Sequence, residues 1–272
     1  MAIADEYLKE DIKDIVENGQ WDENPRPKWE DGSRAYSRFV THRMRTYDIS
    51  KGEFPITEIK PTAYKSAIRE AFWMFQEGSN DLDRLENEYG VKWWRDFDIG
   101  DGTIGMRYGG TVGKHNLINN LLKSIQENPY GRRHIMDLWQ EEDLKETDGL
   151  NPCLISYLFS VRDGYLDLML VQRSADLIAA GNIDGIQSTA LLMMIAKHCG
   201  LKPGKFTWVV NNMHIYDKHW VVADEFLKRE ISDNNPQLVL DTDKTDFFSF
   251  TIDDFKIIDY EPQEKIKIPI AV

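Results

Sequence analysis

From Thr62 onward the apolar positions fall three and four residues apart, at Ala67, Ile68, Ala71, Phe72 and Phe75, which puts them on one side of a helix. Pro61 and Thr62 stand where such a helix starts and Gly78 where it stops, so the pattern predicts a helix over 62–78. Leu117, Leu121, Leu122 and Ile125 repeat the signal and predict a second helix over 115–126, ended ahead of Pro129. The period then shortens to two. Strands are expected over 134–139, 154–161 and 165–171, the last two joined as a hairpin through Asp163-Gly164. The long apolar run 183–198 reads as a helix, closed by Gly200 and Pro203, and a strand over 206–215 follows it. Further strands are expected near 248–252 and 255–258, ahead of the alternating Ile266-Lys267-Ile268 and an apolar chain end at Val272. Residues 1–30 carry scattered aromatics and charges without a sustained period, and are expected to form an arm or a short helix with a loop.

Strands and helices mixed without regular alternation imply the α+β class. No repeat, low-complexity linker or composition break interrupts residues 31–272, so they are expected to form a single catalytic domain. A chain of 272 residues, 42% of them hydrophobic, can fill a sizeable core. No run approaches the ~18 to 20 apolar residues of a membrane span, and Asp5, Glu6, Lys9, Glu10 and Asp11 break any signal-like stretch, so a cytoplasmic protein without membrane association is expected. The two cysteines, Cys153 and Cys199, fit a reducing compartment. A net charge of −13 disfavours nucleic acid as a partner, because binding its backbone means neutralising many phosphates. An anionic substrate then needs a local group of arginines. No metal is expected.

The candidate chemistry starts at Asn151-Pro152-Cys153-Leu154, where the cysteine stands at the head of a predicted strand. Alone, this reads as a buried structural thiol. Downstream, Gln172-Arg173-Ser174-Ala175-Asp176 closes the hairpin's second strand; Arg173 beside Cys153 would favour the thiolate, and Arg173 with Ser174 could hold a phosphate. Around these lie Glu70 on the first helix, Trp94, Gly105-x-x-Tyr108, Arg132-Arg133 after Asn128-Pro129, His214-x-Tyr216 on a strand, and the terminal Pro269-Ile270-Ala271-Val272. In this order, over residues 30–272, the set resembles thymidylate synthase and its nucleotide hydroxymethylase relatives.

The resemblance implies a single-domain fold with a mixed sheet packed by long helices, and a homodimer built on that sheet. It implies that Cys153 adds to C6 of a pyrimidine nucleoside monophosphate, so that C5 can attack the methylene of the co-substrate 5,10-methylenetetrahydrofolate. Glu70 would organise water and move protons to and from the base, and Tyr108 would assist loss of the C5 proton. Arg34, Gln172, Arg173 and Ser174 would bind the nucleotide from one subunit, Arg132 and Arg133 would reach its phosphate from the partner, and His214 with Tyr216 would take the sugar 3′-hydroxyl. Asp176 would bind the pterin, while Trp94, Ala180 and the chain end at Val272 would line and close the folate pocket. The chain departs from the family at Ala180, where a glycine is usual, at Leu154, where a histidine is usual, and at Ala35-Tyr36-Ser37 after Arg34.

Asp184 stands where thymidylate synthases carry an asparagine. An ionised carboxylate has no donor for uracil O4, but accepts from the N4 amino group of cytosine. This reading gives a deoxycytidylate hydroxymethyltransferase, making 5-hydroxymethyl-dCMP as certain bacteriophage enzymes do, in the host cytoplasm if phage-encoded. The alternatives are a dUMP-directed thymidylate synthase or hydroxymethylase in which Asp184 is only a helix cap, a CMP hydroxymethylase, or a catalytically silent binding protein. Intact Cys153, Glu70, Tyr108 and Arg173 disfavour the last.

Overall fold

In the computed structural model, which describes residues 2–271, the chain opens with helix α1 (Ile3–Asn18) and a short strand β1 (Gln20–Trp21), then the long strand β2 (Ser37–Asp48). Helices α2 (Tyr64–Ala71), α3 (Leu82–Asn87), α4 (Gly109–Lys114) and α5 (Leu117–Glu127) follow, then β3 (His134–Asp137) and α6 (Glu141–Glu146). The hairpin β4 (Leu154–Arg162) and β5 (Tyr165–Asp176) leads to α7 (Ile183–His198), β6 (Lys202–Tyr216), α8 (Trp220–Lys228) and a small ribbon of β7 (Gln237–Leu240) with β8 (Phe255–Ile258). Among the described residues six strands form one sheet in the order β1-β2-β6-β5-β4-β3. The β5–β6 pair is parallel and the other neighbours antiparallel, because α7 crosses between the two. This is the expected mixed sheet of an α+β fold.

Helix α7 explains the architecture. Residues Gly185–Ala196 are all buried, so the helix, mostly apolar, is covered on every side and fills the space between the sheet and α2. Glu70 projects from α2 within that layer, and two residues later the helix widens into a π-type turn over Phe72–Gln76. Helix α4 then lies backbone to backbone on the following loop: a Cβ on Gly109 would fall 1.9 Å from the Ser79 carbonyl oxygen. That contact fixes Tyr108, one residue earlier, over the sheet's end.

Two expectations change, and one strand was not anticipated. The N-terminal segment is a sixteen-residue helix whose Leu8, Ile12 and Ile15 enter the main core. Its apolar stripe is narrow because Asp11 also faces inward, accepting from Arg43 and Arg45 of β2. For the same reason β2 escapes a sequence reading: the side chains it turns toward α1 include arginines rather than aliphatics. Residues 248–252, expected as a strand, instead run through two short 3₁₀ turns (Phe247–Ser249 and Ile252–Asp254), the second fixed by a Thr251–Asp254 capping box.

Candidate active site

The carboxyl-terminal ends of β5 and β6, the start of α7, the 93–108 loop and residues 22–37 enclose a cleft of about 910 Å³. It gathers Glu70, Trp94, Tyr108, Cys153, Gln172, Arg173, Ser174, Asp176, Ala180, Asp184, His214 and Tyr216. Arg34 is not among the lining residues; it is exposed and donates to Asn24 Oδ1 at 2.7 Å. Arg132 and Arg133 are exposed on the turn ahead of β3, away from the cleft of their own chain. Val272 lies outside the described residues.

Cys153 sits immediately before β4, half-buried, and β5 holds it in place. The Arg173 backbone N–H donates to the Cys153 carbonyl at 2.8 Å. The Arg173 side chain donates from Nε to Pro152 O at 2.8 Å and from Nη2 to Asn151 O at 2.7 Å. The guanidinium thus braces the turn that presents the thiol. From the other side the Cys153 N–H donates to the Tyr108 hydroxyl at 2.8 Å. Tyr108 holds φ at +45°, a strained region for a bulky residue, and packs edge-on against Trp94 with ring centroids 5.2 Å apart. Burial pushes the thiol pKa up; Arg173 pulls it down as expected, Asp184 raises it, and Tyr108 and Arg26 lower it. Burial wins, so Arg173 alone does not secure a thiolate.

Two carboxyls face this thiol's pocket with only neutral donors on them. Glu70 is 3% exposed and accepts from the indole N–H of Trp93 and of Trp94, both at 2.7 Å. Burial raises its pKa to about 7, against the indole hydrogen bonds and with a further upward push from Asp184. Asp184 is in the first turn of α7, but Asn182 occupies the cap position, and the carboxyl instead accepts from Gln172 Nε2 at 2.7 Å. Burial moves Asp184 up to about 6, with Gln172 opposing.

At the opposite side, His214 lies 3.0 Å from Asn212 Oδ1 and 4.9 Å, ring to ring, from Tyr216, as alternate strand positions require. Burial lowers the His214 pKa and keeps the imidazole neutral. Burial alone would raise Asp176, yet His219, His214 and the Ala179 N–H outweigh it and hold the carboxyl ionised. Among the lining residues that have no place in the sequence reading are Trp93, Arg26, Lys60 and Asn212. Arg26 is close enough to act on both Cys153 and Tyr216. Its signal was the Pro25-Arg26-Pro27 string, a charge whose backbone is fixed on both sides by proline. Lys60 is 4% exposed, and burial lowers it to about 8.

Comparison with known proteins bears on this cleft. A family model described as thymidylate synthase matches residues 5–272. The thymidylate synthases of Lactococcus lactis subsp. cremoris and Streptococcus sanguinis are each 48% identical to the chain, with all of both sequences covered. A solved structure, thermostable thymidylate synthase A from Bacillus subtilis, superposes with a TM-score of 0.92 at 34% identity, covering 99% of each chain. These relatives overturn the expectation of a deoxycytidylate hydroxymethyltransferase of phage type, which rested on Asp184 being ionised and reading cytosine; full-length relatives at 48% identity are named thymidylate synthase. With the family model spanning nearly the whole chain and the cleft built around Cys153, the protein belongs to the thymidylate synthase family.

Proposed function

We propose that the chain methylates dUMP at C5, using 5,10-methylenetetrahydrofolate, and releases dTMP. The observation that carries this reading is the full-length identity to enzymes named thymidylate synthase, together with a cysteine braced at the mouth of a nucleotide-sized cleft. Arg173, Ser174 and Arg26 supply donors for the phosphate, and His214 with Tyr216 supplies a paired contact for the sugar hydroxyl. As a thiolate, Cys153 attacks C6, and the electron density released toward O4 is balanced by a proton moved through Glu70. A carboxyl that titrates near 7 can both give and take that proton within one cycle. The Tyr108 hydroxyl would assist loss of the C5 proton, a role that its hydrogen bond from the Cys153 N–H supports.

The folate supplies the one-carbon unit and the hydride that completes the methyl group. The cleft residues suit such a group: Trp93, Trp94, Phe97, Ile268 and Ile270 give flat and apolar walls, and the ionised Asp176 can accept from ring N–H donors. A homodimer through the sheet is supported by the outward face, where register aligns Ile135, Leu158, Met169 and Thr207 across four strands, and Met44 is 64% exposed on β2. Arg132 and Arg133 then reach the partner's phosphate. Incubation with dUMP and methylenetetrahydrofolate should give a product of dTMP mass. A hydroxymethyl product, or no turnover of dUMP, contradicts the reading.

A further inference from the structure

The uracil edge presents the N3–H donor beside the O4 acceptor, and the side chain that reads it must offer the reverse. An ionised carboxylate satisfies N3–H but sets a second lone pair against O4. A neutral carboxyl carries one O–H and one C=O side by side and matches both.

The surroundings of Asp184 fix which oxygen does which. Gln172 cannot rotate its amide, because Oε1 accepts from Trp208 Nε1 at 2.7 Å while Nε2 donates to Ser174 O at 2.8 Å. The remaining amide hydrogen therefore points at Asp184 Oδ2, at 2.7 Å, which makes Oδ2 an acceptor and leaves Oδ1 for the proton. The titratable groups that face this carboxyl come from each packed element: Glu70 on α2, Tyr108 ahead of α4, Cys153 before β4 and Tyr157 on β4, all of which feel its charge. None is a cation, and Arg173, the nearest guanidinium, is held through Nε and Nη2 on the Pro152 and Asn151 carbonyls. The Gln172 hydrogen bond and the start of α7 favour the ionised form, and burial outweighs them.

We infer that Asp184 engages the base as a neutral acid, with Oδ1–H donating to O4 and Oδ2 accepting from N3–H, so that this carboxyl selects uracil and dUMP binding takes up a proton. The inference rests on the dUMP reading and adds the protonation state on which it depends. Burial makes that state accessible, since Asp184 titrates near 6 despite the Gln172 hydrogen bond. Above that pH the dissociation constant should weaken by up to about tenfold per unit.

The test is titration calorimetry of dUMP into the wild type and Asp184→Asn across pH 6 to 8.5, in buffers of different ionisation enthalpy. The nucleotide phosphate titrates in the same range, but it does so for both proteins and cancels in their ratio. The expected result is a wild-type to Asp184→Asn ratio of dissociation constants that grows tenfold or more between pH 6.5 and 8. Proton uptake by the wild type should exceed that of Asp184→Asn by close to one at pH 7.5. A flat ratio with equal uptake, in a wild type that still forms dTMP, overturns the neutral-acid inference alone. Tighter binding of dCMP than of dUMP across the range overturns both it and the dUMP reading.

Discussion

Two carboxyls buried to nearly the same depth show how differently the chain treats charge. Asp143, on α6, is 0% exposed; it accepts from Lys114 Nζ and Thr111 Oγ1, each at 2.8 Å, and lies 3.0 Å from His115. Burial alone would raise its pKa, but these partners win and hold it below the usual carboxylate range. Glu70 is 3% exposed and has indoles where Asp143 has an ammonium, so burial wins and the group titrates near neutrality. The first arrangement ties α6 to α4 and has nothing to exchange. The second keeps a proton loosely held beside the thiol, which is what a reaction that moves protons to and from a base requires.

Swapping each carboxyl for its amide should separate the two roles. Glu70→Gln keeps the shape and removes the transferable proton, so kcat for dTMP formation should fall by about 10²- to 10³-fold while the fold is as stable as before or more so. Asp143→Asn should do the reverse: it leaves Lys114 beside a neutral amide, costing about 1–3 kcal/mol of stability, with a far smaller loss of kcat. Steady-state kinetics and thermal unfolding of both variants check this. Equal effects on kcat and on stability for the two positions would erase the distinction.

The same contrast has a pH signature. The Glu70 carboxyl titrates near 7 in the fold and near 4.5 when unperturbed, so between those values the folded chain keeps a proton that the unfolded chain has released. The resulting stabilisation is fully present below about pH 4.5 and is lost as pH rises through 7. Relative to Glu70→Gln, the wild type should therefore lose about 2–3 kcal/mol between pH 5 and pH 8. Denaturant unfolding at both pH values measures it, and a pH-independent difference would remove the proton from Glu70.

How far the sequence carried this picture depends on what surrounds each segment. Helix α7 and the β4–β5 hairpin were legible because aliphatic residues bury them, leaving a long unbroken apolar run in the helix and a period of two in the hairpin. Strand β2 was not, because arginines on its inward side satisfy Asp11 through charge, a contact that periodicity cannot register. Within the cleft, the residues on rigid strand ends, Cys153, Arg173, His214 and Tyr216, stood at spacings set by the sheet. The loop residues did not: Arg34 carried the expected charge, yet Arg26, eight positions earlier between two prolines, is the arginine that reaches the cleft. A smaller effect tests that assignment. Arg26→Ala should raise KM for dUMP by about tenfold, the loss of one charge-assisted contact, while Arg34→Ala changes it less than about twofold. The opposite ranking would return the role to Arg34.

The most direct measurement replaces the C5 hydrogen of dUMP with fluorine, which cannot leave as a proton. If Cys153 adds to C6 and the folate carbon is then joined at C5, the reaction must stop with enzyme, nucleotide and folate covalently linked. Intact-mass analysis after incubation with 5-fluoro-dUMP and methylenetetrahydrofolate should show the sum of all three, with peptide mapping placing the adduct on Cys153 and none forming in Cys153→Ala. A folded wild-type chain that stays at its native mass, or an adduct on Cys199, would contradict the account.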